Sequence, residues 1–173
     1  MGNINISIYL EKYSIFYLSK YSVTAGKFAE VLKKKITKDF LSKKLTKDER
    51  DCALEKVSFF VSRFSDIKLI NEDIIIKNRI ANLIRKGLSI KKIFFTLKSD
   101  RFEEKLIKTE MKEIIKEENI DLKLINTFSK KKKLGCYDNN WNYKNKKVYK
   151  RTLNKLLNNG FDIETCKFFL ERC

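Results

Sequence analysis

The chain has 173 residues and a formal charge of +17 at neutral pH, from 39 Lys or Arg against 22 Asp or Glu. Hydrophobic residues make up 43% and aromatic residues 12% of the chain, which is enough for a folded core and argues against wholesale disorder. Proline is absent and glycine occurs five times, a composition that suits helices and supplies little material for β-turns. We therefore expect an all-α fold of one domain or a few small units.

The positive charge is concentrated in two windows. Residues 77–98 contain seven Lys or Arg and no acidic residue, and residues 130–151 carry +8, so these 44 residues hold +15 of the +17. The clustering favours surfaces that face an anionic partner, which is a nucleic acid, an acidic protein or a membrane surface. A lysine-rich compositional bias, with 32 Lys against 7 Arg, is the alternative explanation, although it would spread the charge more evenly.

The sequence gives little support for catalysis. Histidine is absent, so acid–base chemistry near neutral pH would need a perturbed carboxylate, lysine or cysteine. No glycine-rich phosphate loop, paired-carboxylate pattern or nucleophile motif is present. We expect a protein that is not an enzyme and that uses no cofactor.

The cysteines and the apolar runs bear on location. The four cysteines form no CxxC pair, and they are Cys52, Cys136, Cys166 and Cys173. We expect reduced, structural thiols in a cytoplasmic protein and no metal site. No apolar run approaches about 18 residues, so we expect no membrane span. The beginning of the chain lacks a basic segment followed by a long apolar core, so we expect no secretory signal.

Residues 1–67 are predicted to form a first three-helix unit. A helix over 6–19 has an apolar surface made by Ile8, Tyr9, Ile15, Phe16 and Leu18. Thr24 is an N-cap residue for a second helix, which a polar connection at 36–47 follows. Thr46-Lys47-Asp48-Glu49 has the spacing of a capping box and opens a third helix that ends near Phe64.

Residues 68–119 are predicted to form a second unit, whose first two helices meet at Lys86-Gly87-Leu88-Ser89. Gly87 suits the left-handed end of a helix, and Ser89 suits the N-cap of the next. Helical spacing gives each helix one apolar stripe, which consists of Ile76, Ile80, Leu83 and Ile84 in the first and Ile90, Ile93, Phe94 and Leu97 in the second. Phe95 projects among lysines instead, where it stacks on a base, fills a partner's pocket or packs on the neighbouring unit.

Residues 120–173 are predicted to form a third unit. Lys130 to Lys133 end its first helix, and a loop at about 136–148 follows with Trp141 and Tyr143, for which stacking, packing and disorder stay open. Asn159-Gly160-Phe161-Asp162 repeats the stop, hydrophobic residue and cap of the earlier corner before a closing helix. Three phenylalanines are assigned to the core, and they are Phe128, Phe161 and Phe168.

These motifs resemble, in their order and spacing, the RecX family of bacterial RecA regulators. The resemblance covers roughly residues 13–172 and is carried by Leu69-Ile70-Asn71-Glu72, by Arg79 with Arg85-Lys86-Gly87, Ser89, Lys91-Lys92-Ile93 and Leu97, and by Lys130 to Gly135 with Tyr137. It implies an elongated, curved array of tandem three-helix repeats that lodges along the RecA–DNA filament. It also implies inhibition of the recombinase, ATPase and coprotease activities of RecA, without catalysis by this chain.

The expected partners are the RecA nucleoprotein filament and single- or double-stranded DNA, and we expect a monomer. The residues expected to contact the filament are Arg79, Arg85, Lys86, Lys91, Lys92, Phe95, Lys98, Lys130, Lys131, Lys132, Lys133 and Arg151. Among them, the second helix of the second unit is the preferred contact face, with Lys91, Lys92, Phe95 and Lys98. Lys130–Lys133 form a second, separate contact. Two alternatives remain: a nonspecific nucleic-acid binder that acts without RecA, and a structural protein whose lysines only maintain solubility.

Overall fold

A computed structural model of the protein describes residues 5–173, and in that range the chain is all α-helical with no β-strand, as predicted. The helices are α1 (Ile6–Leu18), α2 (Ala25–Leu41), α3 (Lys47–Glu55), α4 (Val57–Asp66), α5 (Glu72–Lys86), α6 (Ile90–Ser99), α7 (Glu104–Ile115), α8 (Ile120–Lys132), α9 (Lys146–Asn158) and α10 (Ile163–Glu171). A single 3₁₀ turn, Gly135–Tyr137, lies between α8 and α9. None of the described helices combines the length and the apolarity that crossing a bilayer requires.

The chain divides into two compact units. The N-terminal unit continues through Ile75 and includes Asp100–Phe102, and the C-terminal unit comprises Ile76–Ser99 and Glu103–Cys173. The division into three-helix units at 1–67, 68–119 and 120–173 stays a prediction, as does the tandem repeat. Residues 1–4, which the first predicted unit includes, lie outside the described residues.

Helix α2 is longer than predicted. Residues 36–47 were expected to form a connection, but α2 continues to Leu41. The reason is that Phe28, Leu32 and Ile36 follow one another at single-turn spacing and are fully buried, so the apolar stripe carries the helix through its lysine-rich segment. At the other end, the Thr24 side chain accepts a hydrogen bond from the Lys27 N–H at 3.1 Å, which confirms the predicted cap.

Helix α1 buries only part of the face that was predicted. Tyr9 and Leu18 are partly buried against the core that contains Ile6 and Leu10, as expected. Ile8, Ile15 and Phe16, in contrast, are each about half exposed. Because the helix carries apolar residues on both sides, its periodicity does not identify the buried face.

The capping box at the start of α3 is confirmed, but the helix that it opens is shorter than predicted. The Glu49 N–H donates to the Thr46 hydroxyl at 3.3 Å, and the Thr46 N–H donates to the Glu49 carboxylate at 2.8 Å. The expected single helix through Phe64 is interrupted at Lys56, which separates α3 from α4. Lys56 keeps φ −82° and ψ −7°, so the interruption is a local tightening of one residue.

A buried carboxylate joins α1 to α2 in the N-terminal unit. The Tyr9 hydroxyl donates a hydrogen bond to Asp39 at 2.7 Å, and the Lys35 ammonium pairs with the same carboxylate at 2.7 Å. Burial opposes ionisation of Asp39, but the hydrogen bonds from Lys35 and Tyr9 outweigh it and hold the pKa of Asp39 below its ordinary value. Asp39 therefore stays charged inside the unit.

Candidate nucleic-acid interface

The corner between α5 and α6 forms as predicted. Gly87 has φ +75°, and the Ser89 hydroxyl accepts a hydrogen bond from the Lys92 N–H at 3.1 Å. A Cβ atom on Gly87 would lie 2.5 Å from the backbone nitrogen of Phe128 and 2.8 Å from the carbonyl oxygen of Leu124. The corner therefore needs glycine twice over, for its backbone angles and for its close approach to α8.

Helix α8 meets this corner at three successive points. Near its start, the Asp121 carboxylate accepts a hydrogen bond from the Ile90 N–H at 3.0 Å. In its middle, its backbone lies against Gly87. Near its end, the Lys131 ammonium donates to the carbonyl oxygen of Arg85. The basic end of α8 thus reaches the last turn of α5.

This packing brings the two predicted cationic windows into contact. We call Arg85, Lys86 and Lys130–Lys133 the cationic corner, and all six side chains are exposed. Most of them lie in the last turns of α5 and α8, where the free carbonyl groups attract cations. In the described part of the chain, no carboxylate forms an ion pair with any of the six. The corner therefore has an uncompensated positive charge.

Ion pairs of the C-terminal unit involve glutamates on and after α7 instead. Glu104 pairs with Lys98 at 2.9 Å and with Lys108 at 2.8 Å, and Glu113 pairs with Lys116 at 3.0 Å. The hydrogen bond from Lys108, followed by that from Lys98, lowers the pKa of Glu104 to about 2. Lys98, a predicted contact residue, is therefore charge-compensated.

Other predicted contact residues lie outside the cationic corner. Lys91 and Lys92 are exposed in the first turn of α6, the helix start at which the Asp121 carboxylate is also bound. Phe95 is 57% exposed, and its ring is 6.1 Å from that of Phe94 in an edge-to-face arrangement.

Two predicted contact arginines lie outside both the cationic corner and α6. Arg79 is half-buried on α5, and Arg151 is exposed on α9. The roles that the sequence assigned to Arg79, Arg151 and Phe95 stay predictions.

Sequence reasoning missed the covalent link that holds the turn after α8. Cys136 and Cys173 form a disulfide with their Cα atoms 4.7 Å apart, so the expectation of reduced thiols is wrong for this pair. The 37-residue separation leaves no local motif that would reveal it.

Cys166 is a free thiol, and its pKa is raised to about 12, first by burial and then by nearby carboxylates. It is therefore protonated and inert near neutral pH.

The aromatic loop between α8 and α9 was only partly predicted. The loop expected at about 136–148 begins in the 3₁₀ turn and ends in α9, which starts at Lys146. The Tyr149 ring lies 6.3 Å from that of Trp141 and 5.6 Å from that of Tyr143. Tyr149 was overlooked because it belongs to the following helix.

One aromatic residue that was assigned to the core lies at the surface. Phe168 is 40% exposed, and the Arg172 guanidinium lies 3.7 Å from the centre of its ring. Phe161, in contrast, is buried as predicted, and its ring lies 6.4 Å from that of Phe128. The sequence around Phe168 on the short closing helix could not show whether its ring is buried in the core or lies at the surface under the Arg172 guanidinium.

Comparisons with models of protein families, with curated proteins and with solved structures found no match. The chain is therefore characterised by its own fold and surface: an all-α protein whose C-terminal unit carries an uncompensated cationic corner.

Proposed function

We propose that the protein binds nucleic acid through the phosphate backbone, with the cationic corner as its main contact surface. The observation that carries the proposal is the contact between Lys131 and Arg85, which joins two basic segments without an acidic partner. Adjacent cations on a rigid helix junction neutralise several phosphates at once and release their counterions. Such binding is not sequence-specific, because phosphate contacts position a protein without reading bases.

The finer proposal is regulation of RecA on DNA, which the resemblance to the RecX family implies. In this form, an elongated array of helical repeats occupies the RecA–DNA filament and inhibits its activities. The cationic corner contacts the DNA phosphates, and the exposed first turn of α6, with Lys91 and Lys92, contacts RecA. The RecX resemblance supports this form, whereas the charge distribution supports nucleic-acid binding in general.

The test of nucleic-acid binding measures the affinity for labelled single-stranded DNA by fluorescence anisotropy over a range of salt concentrations. Six phosphate contacts would give a log–log slope of roughly −4. Changing Lys130, Lys131, Lys132 and Lys133 together to alanine should reduce the magnitude of the slope by roughly 3 and weaken binding strongly at low salt.

The matched control removes the same number of charges from the α7 side, by changing Lys105, Lys108, Lys112 and Lys116 to alanine. All four are exposed, and Glu104 and Glu113 compensate Lys108 and Lys116. Equal losses in both variants would show that net charge, not the cationic corner, controls binding. A flat salt dependence in the unmodified protein would refute nucleic-acid binding and leave the lysines a solubilising role.

The RecA form has its own assay. The protein is titrated at substoichiometric ratios into a cognate RecA that hydrolyses ATP on single-stranded DNA. Inhibition that is lost when Lys91 and Lys92 are changed to glutamate, while binding to free DNA survives, would support RecA as the partner. An absence of inhibition at every ratio would refute the RecA form without affecting the proposal of nucleic-acid binding.

A further inference from the structure

Three aromatic side chains gather where the loop after α8 meets α9. The rings of Trp141 and Tyr149 lie 6.3 Å apart at an interplanar angle of 34°, and those of Tyr143 and Tyr149 lie 5.6 Å apart at 86°. Both separations fall in the range of attractive aromatic pairs. We call these three residues the aromatic cluster.

Side chains of the loop accept hydrogen bonds from backbone N–H groups before and after Trp141 and Tyr143. The Asp138 carboxylate accepts from the Asn140 N–H at 3.0 Å, and the Asn142 side chain accepts from the Lys144 N–H at 3.0 Å. Asn145 then caps α9 by accepting from two N–H groups of its first turn at 3.1 and 3.2 Å. Because the loop is already ordered in this way, a ligand that binds here incurs little ordering cost.

The aromatic cluster is open to solvent and lies in a basic stretch of chain. Tyr143 is 53% exposed, and residues 138–151 contain five Lys or Arg against one Asp. The basic residues are all exposed, and they are Lys144, Lys146, Lys147, Lys150 and Arg151. Helix α10, which packs against α9, contributes one opposing charge, that of Glu171. The pKa of Tyr149 is raised by burial first, then by Tyr143 and then by Glu171. The balance of charge around the rings is positive.

The indole of Trp141 is held by packing and not by hydrogen bonding. Its Nε1 donor has no acceptor among the described residues. A buried donor of this kind costs free energy for as long as it has no acceptor.

We propose that the aromatic cluster stacks on unpaired bases of single-stranded nucleic acid, while the neighbouring lysines contact its phosphates. The inference rests on the proposed function and adds the form of nucleic acid that the protein prefers. Every base has a π-face, so rings beside a cationic helix bind single strands with little sequence preference. A duplex hides these faces inside its stack, and an acidic peptide would engage the cations without needing the rings.

The test uses Trp141, the only tryptophan in the chain, as a fluorescent reporter. An oligothymidylate of about 15 nucleotides and an abasic strand of the same length are titrated into the full protein. Oligothymidylate should bind more tightly and quench the tryptophan at saturation, and the abasic strand should bind through its phosphates without quenching. Anisotropy of labelled strands measures binding in parallel.

Variants of Tyr143 complete the test. Tyr143→Ala should weaken binding of oligothymidylate between about 5- and 100-fold and leave binding of the abasic strand unchanged. Tyr143→Phe, which keeps the ring, should restore the affinity. The matched control is Tyr21→Ala, which removes a 54% exposed tyrosine from the N-terminal unit and should change neither affinity.

The outcomes separate the inference from the function on which it rests. Equal affinities and equal fluorescence changes with the two strands would overturn stacking and leave phosphate binding in place. An unchanged affinity for oligothymidylate in Tyr143→Ala would also overturn it. Binding of neither strand at low salt would overturn both the inference and the proposed function.

Discussion

Replacing Gly87 with alanine should destabilise the C-terminal unit more than the same replacement at Gly160. Both glycines have positive φ, +75° and +88°, so each alanine costs about 1–2 kcal/mol in the left-handed region. The two sites differ in what the new Cβ atom meets. At Gly87 the nearest atoms belong to the backbone of α8, and at Gly160 the nearest is the hydroxyl of Ser89.

The difference can be estimated from the contacts. The Phe128 nitrogen would be 2.5 Å from the new Cβ atom, against about 3.4 Å for an ordinary contact, so α8 must retreat by roughly 0.9 Å. Overpacking of this kind costs about 1–3 kcal/mol, which gives a total of about 2–5 kcal/mol for Gly87→Ala. At Gly160, the Ser89 hydroxyl would have to rotate away, which breaks its hydrogen bond to the Asn159 carbonyl and its cap of the Lys92 N–H. These two losses cost about 1–2 kcal/mol together, which gives a total of about 2–4 kcal/mol for Gly160→Ala.

Urea unfolding followed by the fluorescence of Trp141 measures this difference, because the only tryptophan lies in the C-terminal unit. We expect a free energy of unfolding for Gly87→Ala that is lower than that of Gly160→Ala by about 0.5–1 kcal/mol. Circular dichroism should show that both variants remain helical without denaturant. An equal or smaller loss at Gly87 would refute the argument that α8 rests on the glycine itself.

Two further predictions concern ionisation and the disulfide. Asp39→Asn should lower the free energy of unfolding by about 1–3 kcal/mol at neutral pH. Because folding lowers the pKa of Asp39, its stabilising contribution is present above the unfolded pKa of 3.8 and is lost as the pH falls through the folded pKa. The difference in free energy of unfolding between parent and variant should therefore narrow in acid. A difference that stays constant with pH would contradict this. Reduction of Cys136–Cys173, whose partners are 37 residues apart, should lower the free energy of unfolding by up to about 4 kcal/mol. A Cys136→Ser/Cys173→Ser variant should have the same free energy of unfolding as the reduced protein, and dithiothreitol should not change it. A change with dithiothreitol in that variant would show that the effect comes from another cysteine.

The helix ends were predictable because their chemistry is local. Thr24, the Thr46–Glu49 box and the Gly87–Ser89 corner each combine a backbone requirement with a side chain that meets it within three residues. Such short-range patterns are readable without knowing the partner helix. The two cationic windows were also readable, since charge density is a property of composition.

The arrangement of these pieces was not predictable, because it depends on contacts distant in sequence. The contact of Lys131 with the Arg85 carbonyl spans 46 residues, and no local pattern marks it. The prediction of the buried face of α1 was only partly right, because the helix is apolar on both sides and its burial depends on what packs against it. The preference for Lys98 on α6 overlooked Glu104, which lies six residues further along the chain and pairs with it.

The hydrogen bonds between the two glycine corners have a consequence for the order in which the chain acquires its structure. The Ser89 hydroxyl donates to the Asn159 carbonyl, and the Asn159 side chain donates to the Gly87 carbonyl, across 70 and 72 residues. At synthesis rates of about 5–20 residues per second, the α5–α6 corner waits roughly 4–14 s for its partner to be made. During that interval, the basic helices α5 and α6 have been made but the corner at Asn159 and Gly160, which completes their packing, has not. They are then close to the nucleic acid of the ribosome itself.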